Sequence, residues 1–181
     1  MEFRVTTASA IDLRRYGHND LPGIRQTLLD VHADAYFDRR HEEFVQRFPW
    51  FVDHWGGRDG FACVVAYENG QPIGFTYGAP GEPGREWWRE HVAVDPADPS
   101  TFSISELMLR PEWRKQGLGE RLHTALLADR AEALTVLTVD TRRPRLQALY
   151  ESWGYRKIGE NQPFPDSPLY AVMLLDRTHT A

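Results

Sequence analysis

The chain has 181 residues, of which 41% are hydrophobic and 26% charged, values typical of a globular protein that argue against wholesale disorder. Its formal net charge is −5, with 21 Lys and Arg against 26 Asp and Glu, which argues against nucleic acid as a partner. There is no membrane-spanning apolar run, no evident secretory signal, and one cysteine, Cys63. We therefore expect a single domain, 1–181, in the reducing cytoplasm, with no membrane partner.

Apolar spacing predicts a strand followed by two helical segments in the N-terminal part of the chain. The strand is expected over residues 3–8. A first helix is expected over about 22–36, where apolar side chains recur at helical intervals. A second helical pattern begins near Phe44, continues through Phe48 and ends at Gly56-Gly57.

A hairpin and a long loop come next. Two apolar, β-branched runs, 61–67 and 72–77, flank Asn69-Gly70, and this pair predicts a tight hairpin because both residues tolerate positive φ. Residues 78–101 then carry four prolines and the pair Trp87-Trp88. Loops of this length inside a domain are commonly functional, so we expect a partly ordered lid on the substrate side.

The C-terminal half alternates strands with helices. An uninterrupted β-rich run over 134–139 is typical of a central strand covered on both faces. A helix beginning at Pro144 is expected to end at Gly154. With strands at 102–109 and 169–175, the chain is predicted to be of the mixed α/β class.

Segment 106–120 contains the most informative pattern. A strand is predicted to end at Leu109, and Gly117-Leu118-Gly119 opens a helix after a short loop. Free N–H groups at a helix N-terminus bind anions, and glycine lets phosphate oxygens approach the backbone. Arg114 and Lys115 bring two positive charges to the same loop. The pattern therefore predicts a pyrophosphate site.

Other interpretations of these glycines compete. A P-loop is excluded because Leu118-Gly119-Glu120 follows Gly117, where Lys and then Ser or Thr are required. A dinucleotide-binding fold needs a third glycine where this chain has Leu122. Asp140 does follow the glycines at about the spacing of the acidic residue in that fold. A plain tight turn also fits, but Arg114 and the flanking strand and helix favour the anion site.

Two motifs resemble those of the GNAT superfamily of N-acetyltransferases. Arg114-x-x-Gly117-x-Gly119, preceded by Pro111-Glu112-Trp113 and a strand, is similar to its acyl-CoA-binding motif. The stretch 144–155, with Leu149-Tyr150-Glu151 and then Gly154-Tyr155, resembles its late helix. Many members have Asn just before the proline of that helix, whereas this chain has Arg143, which could instead contact a phosphate.

The resemblance implies a mixed, twisted sheet with a V-shaped gap between the strand ending at Leu109 and the strand ending at Val139. The pantetheine arm of acetyl-CoA, the co-substrate, would pair with strand backbone in this gap. Its pyrophosphate would bind at the glycine-containing loop. The cofactor-binding residues implied are Leu107, Met108, Leu109, Arg114, Lys115, Gln116, Gly117, Leu118, Gly119, Glu120 and Arg143.

The resemblance also implies catalytic roles. Tyr150 is the candidate acid that protonates the leaving thiolate, although periodicity alone would also allow a core aromatic. Glu106 is a candidate base, often acting through water in such enzymes, and a solvated or ion-paired strand carboxylate is the alternative. Asp140 and Glu151 are further candidates, and a backbone N–H near Met108 is the expected oxyanion donor. The histidines show no metal-binding spacing, so no metal is implied.

The expected activity is direct transfer of an acetyl group to a primary amine of a small molecule or peptide. The acceptor pocket is expected to be aromatic, which would suit a cationic amine. A homodimer is a compatible assembly. The alternative is a non-catalytic acyl-CoA-binding or sensory module on the same fold. The residues expected to line the pocket are Tyr36, Trp50, Trp55, Tyr77, Trp87 and Trp88.

Overall fold

A computed structural model describes residues 10–178, so the strand predicted over 3–8 lies outside the described residues. Short 3-10 turns join several of the main elements. In chain order these elements are β1 (Ile11–Gly17), α1 (Leu21–Ala35), α2 (Glu43–Gln46), α3 (Phe48–Gly56), β2 (Ala62–Glu68), β3 (Gln71–Pro80), β4 (Thr101–Leu109), α4 (Leu118–Leu127), β5 (Leu134–Asp140), α5 (Pro144–Ser152), β6 (Arg156–Asn161) and β7 (Tyr170–Asp176).

The described strands form one mixed sheet in the order β1-β2-β3-β4-β5-β7-β6. Neighbouring strands are antiparallel, except that β4 and β5 are parallel. This confirms the predicted mixed α/β class. The first and last strands of this order, β1 and β6, are the ones that the sequence pattern did not predict within the described residues.

The β4–β5 pairing is short, and this creates a gap. The two strands are paired only from Thr101 opposite Leu134 to Ser103 opposite Val136. Beyond Ser103 both strands continue without pairing to each other, β4 to Leu109 and β5 to Asp140. The sheet therefore has the V-shaped opening that the sequence resemblance implied.

A β-bulge in β4 sets which side chains face each layer. Tyr77 of β3 pairs with Glu106, but the next residue, Gly78, pairs with Ile104, so Ser105 is an extra residue. A Cβ on Gly78 would lie 2.1 Å from the Ser103 carbonyl oxygen, which is why this position needs glycine. The bulge reverses the alternation of faces, so that Ile104 packs in the same layer as Leu109, whereas Met108 packs in the opposite layer. Glu106, two residues before Met108, shares the face of Met108.

Two helical layers cover the sheet. On one face, α1 and α3 pack on β2–β4 around Leu28, Val31 and Phe75. On the other face, α4 and α5 pack around Leu122 and Tyr150. Within residues 10–178, no helix has both the length and the apolar composition needed to cross a bilayer.

The segment between β3 and β4 covers the remaining part of the sheet. Trp88 is 1% exposed and packs with residues of β5 and β7, including Val136 and Val172. Its indole N–H donates a hydrogen bond of 3.1 Å to the Thr101 hydroxyl. The loop predicted over 78–101 is shorter than expected, because residues 78–80 belong to β3 and Thr101 begins β4. Its lid role stays a prediction, and Trp88 is an internal anchor of this segment.

Candidate functional site

A cleft of about 470 Å³ opens where β4 and β5 separate. Its floor is formed by residues 103–107 of β4 and 137–140 of β5. Residues of α5, including Arg143 and Tyr150, form one side. Residues from α1 to α3 and the loop between β6 and β7 form the other end.

Glu106 lies in this cleft, immediately after the bulge of β4. Its carboxylate accepts no hydrogen bond and forms no ion pair with any residue of the described part of the chain. Burial disfavours the charged form and raises the pKa of the Glu106 carboxyl from 4.5 to about 8. The group can therefore gain or lose a proton near neutral pH.

Tyr150 faces the same cleft from α5. Its ring is 6% exposed and meets Trp153 and Tyr155 edge-on, at centroid distances of 5.1 Å and 5.7 Å. Burial, and to a smaller extent the nearby Glu106 charge, raises the pKa of the Tyr150 phenol to about 12. Tyr150 therefore stays protonated at neutral pH and keeps an O–H to donate.

Segment 115–120 presents a row of free amides. Gly117 is the N-cap of α4 with φ +75°, and Lys115 also has positive φ, at 62°. The first backbone bond of the helix runs from the Arg121 N–H to the Gly117 carbonyl at 3.2 Å. The N–H groups of 115–120 donate to no acceptor within residues 10–178. They form the N-terminal donor set of α4.

The two arginines among the predicted cofactor ligands differ in their contacts. The Arg114 guanidinium donates to the carbonyls of Leu109 (3.2 Å) and Ala35 (3.0 Å), so it fixes the loop to β4 and α1. Arg143 is exposed, lines the cleft and precedes α5, and its guanidinium has no hydrogen-bond partner in the described structure. Of these two arginines, Arg143 is the one that is free to contact a ligand.

The edge of β4 also offers free backbone groups. The Arg110 N–H donates to the Ile73 carbonyl at 2.9 Å. Because hydrogen bonding alternates along an antiparallel pair, the Met108 amide faces β3, and the amides of Leu107 and Leu109 face the gap. The Met108 side chain lies in the core beneath α1. The N–H groups near Met108 that reach the gap are thus those of its two neighbours.

Other candidate acids and bases are already engaged. Asp140 lines the cleft but is bound by the Arg142 guanidinium at 2.7 Å, which lowers the pKa of its carboxyl. Glu151 accepts a hydrogen bond from Gln147 at 2.9 Å and lies outside the cleft lining. No group of His, Cys, Asp and Glu side chains in the described residues is arranged to hold a metal ion.

The end of the cleft formed by α1 to α3 and the β6–β7 loop is aromatic, and the six rings predicted to line an acceptor pocket differ in where they lie. Tyr36, Trp50, Trp55 and Trp87 line it, whereas Tyr77 and Trp88 are fully buried in the core. Further rings were missed because their helical spacing indicated only core packing, or because their position depends on the β6–β7 loop. These are Phe44, Phe48, Phe51, Phe164 and Tyr170.

Comparison with known proteins places these features in context. The Acetyltransferase (GNAT) family profile matches residues 25–155. A GCN5-like protein acetyltransferase of Mycobacterium tuberculosis is 33% identical over 83% of this chain and 89% of its own length.

Solved structures share the fold at low identity. An acetyltransferase from Thermus thermophilus has a TM-score of 0.62 at 15% identity, covering 92% of this chain and 97% of its own. Arabidopsis thaliana NAA60 in complex with acetyl-CoA has a TM-score of 0.62 at 14% identity, covering 93% and 99%. PaiA N-acetyltransferase from Thermoplasma acidophilum, in complex with coenzyme A, has a TM-score of 0.56 at 12% identity, covering 92% and 99%.

Proposed function

Because this chain belongs to the GNAT family of acetyltransferases, we propose that it transfers the acetyl group of acetyl-CoA to a primary amine by direct attack. Acetyl transfer from acetyl-CoA is the activity of the family, and the amine and the residue roles are our proposal. The observation that carries them is the meeting of Glu106 and Tyr150 in one cleft, where β4 and β5 separate and no longer pair with each other.

Three features fit acetyl-CoA. The free amides of 115–120, at the N-terminus of α4, suit the negative charge of a diphosphate. The amides of Leu107 and Leu109 suit the amide-rich pantetheine arm, since an unpaired strand edge can pair with it. The free guanidinium of Arg143 suits a phosphate oxygen.

Glu106 is proposed as the base. An amine in water is mostly protonated at neutral pH, and it must lose a proton before it can attack a carbonyl carbon. With its pKa at about 8, the Glu106 carboxylate is a strong enough base to take that proton and is present in a useful fraction at neutral pH. When bound, acetyl-CoA supplies a thioester carbonyl whose carbon accepts the amine.

Tyr150 is proposed as the acid. Its phenol stays protonated until about pH 12 and can give its proton to the departing sulfur. The amides of Leu107 and Leu109, which face the gap, are the proposed donors to the developing negative charge on the carbonyl oxygen. Base and acid are thus separated by their pKa values, as in other acid–base enzymes.

The first experiment separates transfer from binding alone. Isothermal calorimetry with acetyl-CoA measures binding, and a thiol reagent measures release of free coenzyme A with a pooled panel of amines. Peptides belong in the panel because the M. tuberculosis relative is named a protein acetyltransferase. We expect binding and amine-dependent thiol release. Binding without release across the panel would favour the non-catalytic module, and absence of binding at millimolar acetyl-CoA would refute the proposal.

A further inference from the structure

Aromatic rings from three separate parts of the chain meet at the acceptor end of the cleft. Phe44 and Phe51 lie 5.5 Å apart between centroids, and Phe164 from the β6–β7 loop lies 5.8 Å from Phe51. Trp50 packs edge-on against Phe51 at 5.1 Å and stacks on His54 at 4.9 Å. These rings form a continuous apolar surface on the cleft wall.

His32 extends this surface rather than interrupting it. Its imidazole is stacked on Phe48 at 3.8 Å, with only 2° between the planes, and on Tyr36 at 4.8 Å. Burial lowers the pKa of His32 to about 4, so the ring is neutral at physiological pH. It adds an uncharged ring to the cleft lining.

The charges around the cleft allow for one cationic amine. Of the described residues that line it, Glu106 and Asp140 carry carboxylates, and Asp140 is bound by Arg142. Beside the aromatic wall, the Asp166 carboxylate is paired with Arg47 at 2.8 Å. A polycationic acceptor would bury additional ammonium groups without carboxylate partners, which is strongly unfavourable.

One of the rings is held in place by contacts outside the cleft, and another belongs to a residue next to a fully buried tryptophan. Trp87 is 39% exposed and lines the cleft, and it directly precedes Trp88, which is fully buried. Phe164 is held by Arg47, whose guanidinium lies 5.0 Å from the Phe164 ring centroid while it binds Asp166. Rings that are fixed before binding lose little entropy when a ligand packs on them.

We propose that the acceptor is a monoamine whose amino group is attached to an aromatic or similarly bulky apolar body. Trp50, Trp87 and Phe164 would determine this specificity by packing on that body, while Glu106 faces the amine. The inference rests on the proposed acetyltransferase function and narrows its substrate class.

The test compares three amines under identical conditions. 2-Phenylethylamine carries the aromatic body, ethylamine lacks it, and spermidine replaces it with further charges. We expect kcat/KM for 2-phenylethylamine to exceed that of the other two by at least about tenfold, the range that an apolar pocket contributes. Equal or higher kcat/KM with ethylamine or spermidine would overturn the inference and leave the acetyltransferase function standing.

Variants locate the selective surface. Trp87→Ala and Phe164→Ala should lower the ratio of kcat/KM for 2-phenylethylamine to that for ethylamine by about tenfold. Phe37→Ala is the matched control, because Phe37 is 59% exposed and lies outside the cleft lining. Trp87→Leu and Phe164→Leu retain apolar volume and replace any alanine variant that does not fold. An unchanged ratio in folded variants would contradict the assignment.

A binding measurement keeps the two proposals distinguishable. Calorimetry first establishes whether acetyl-CoA binds, since failure at that step counts against the acetyltransferase function itself. Saturation-transfer NMR then measures binding of 2-phenylethylamine and ethylamine to the protein loaded with coenzyme A, where no transfer occurs. We expect the aromatic amine to bind more tightly. If acetyl-CoA binds but the two amines bind equally, the acceptor inference is wrong.

Discussion

Two side chains in one cleft, the half-buried Glu106 and the buried Tyr150, have pKa values displaced from their ordinary range mainly by the same cause. Loss of solvation raises the pKa of the Glu106 carboxyl to about 8 and that of the Tyr150 phenol to about 12. The carboxyl thereby exchanges protons near neutrality, whereas the phenol remains a donor. In the proposed mechanism this difference lets Glu106 act as the base and Tyr150 as the acid.

Replacing Tyr150 by phenylalanine removes the phenol O–H and retains the packing against Trp153 and Tyr155. We expect Tyr150→Phe to lower kcat by about 10²-fold or more, the usual contribution of a general acid, with acetyl-CoA affinity nearly unchanged. A discontinuous assay of released thiol measures kcat, and calorimetry measures the affinity for acetyl-CoA. Tyr155→Phe is the matched control, because the Tyr155 hydroxyl bonds to His123 at 2.8 Å inside the core. Parallel losses of rate and affinity would assign Tyr150 to packing.

The pH dependence of the rate tests Glu106. A base acts in its deprotonated form, so kcat/KM should rise with pH and level off above the pKa of about 8. Glu106→Gln keeps the size of the side chain and cannot accept the proton. We expect the variant to be slower by about 10²-fold or more, without the inflection near pH 8. An inflection that persists in the variant would belong to another group.

The same substitution has a separate effect on stability. In the unfolded chain a glutamate pKa is near its ordinary 4.5, so between that value and about 8 the folded state binds more protons than the unfolded state. The free energy of unfolding of the wild type should therefore fall as pH rises through this interval, and Glu106→Gln should abolish that contribution. Thermal unfolding at pH 5 and pH 9 checks the sign of this effect. Relative to the wild type, the variant should be more stable at pH 9 than it is at pH 5.

At the scale of elements, the turn that begins α4 depends on one backbone conformation. Gly117 has φ +75°, and a Cβ there would meet no atom within 4 Å, so Gly117→Ala perturbs conformation rather than packing. The left-handed conformation costs alanine about 1–2 kcal/mol. We expect the amides of 115–120 to shift and the affinity for acetyl-CoA to fall about tenfold. A loss of this size corresponds to the free energy of roughly one charge-assisted hydrogen bond. Calorimetry gives the affinity directly.

Gly70 provides a matched control for this prediction. It has φ +78° and, like Gly117, no atom within 4 Å of an added Cβ, but it lies in the β2–β3 turn away from the cleft. Gly70→Ala should reduce thermal stability by a similar amount without changing acetyl-CoA affinity. If both variants lower the affinity equally, the effect of Gly117→Ala is one of general stability and the anion site is not supported.

The elements that the sequence predicted are those with strong local signals. The Asn69-Gly70 hairpin and the helix now seen over Leu21–Ala35 depend on turn chemistry and on apolar periodicity, both visible in short windows. The missed strands β1 and β6 lie at the two edges of the sheet. Edge strands pair on one side and carry charged residues, such as Arg156-Lys157, so their apolar pattern is weak.

At the scale of the whole molecule, the sequence predicted only those residues of the candidate site that belong to recognisable motifs. The motifs picked out Glu106 and Tyr150, which the topology brings to one cleft although they are distant in the chain. Phe164 could not be predicted to join the cleft, because its place depends on the fold of the β6–β7 loop. The adjacent Trp87 and Trp88 looked equivalent in the sequence, and only packing separates them.

The difference in burial between Trp87 and Trp88 gives a prediction about the segment between β3 and β4. Trp88 packs on Val136 and Val172 and donates to Thr101, so Trp88→Ala would leave a large cavity beneath the segment. We expect a loss of about 3–5 kcal/mol in the free energy of unfolding and faster proteolysis within 81–100. Trp87→Ala, which truncates the more exposed neighbour, should lose far less stability.

Denaturant unfolding and limited trypsin digestion measure these two effects on the intact chain. Arg85 and Arg89 provide cleavage sites close to both tryptophans, so protection there reports directly on how firmly the segment is held. Trp88→Phe retains most of the apolar volume and should recover part of the lost stability, because the cavity is then smaller. If Trp87→Ala and Trp88→Ala destabilise the protein equally, the segment is not held by one buried ring.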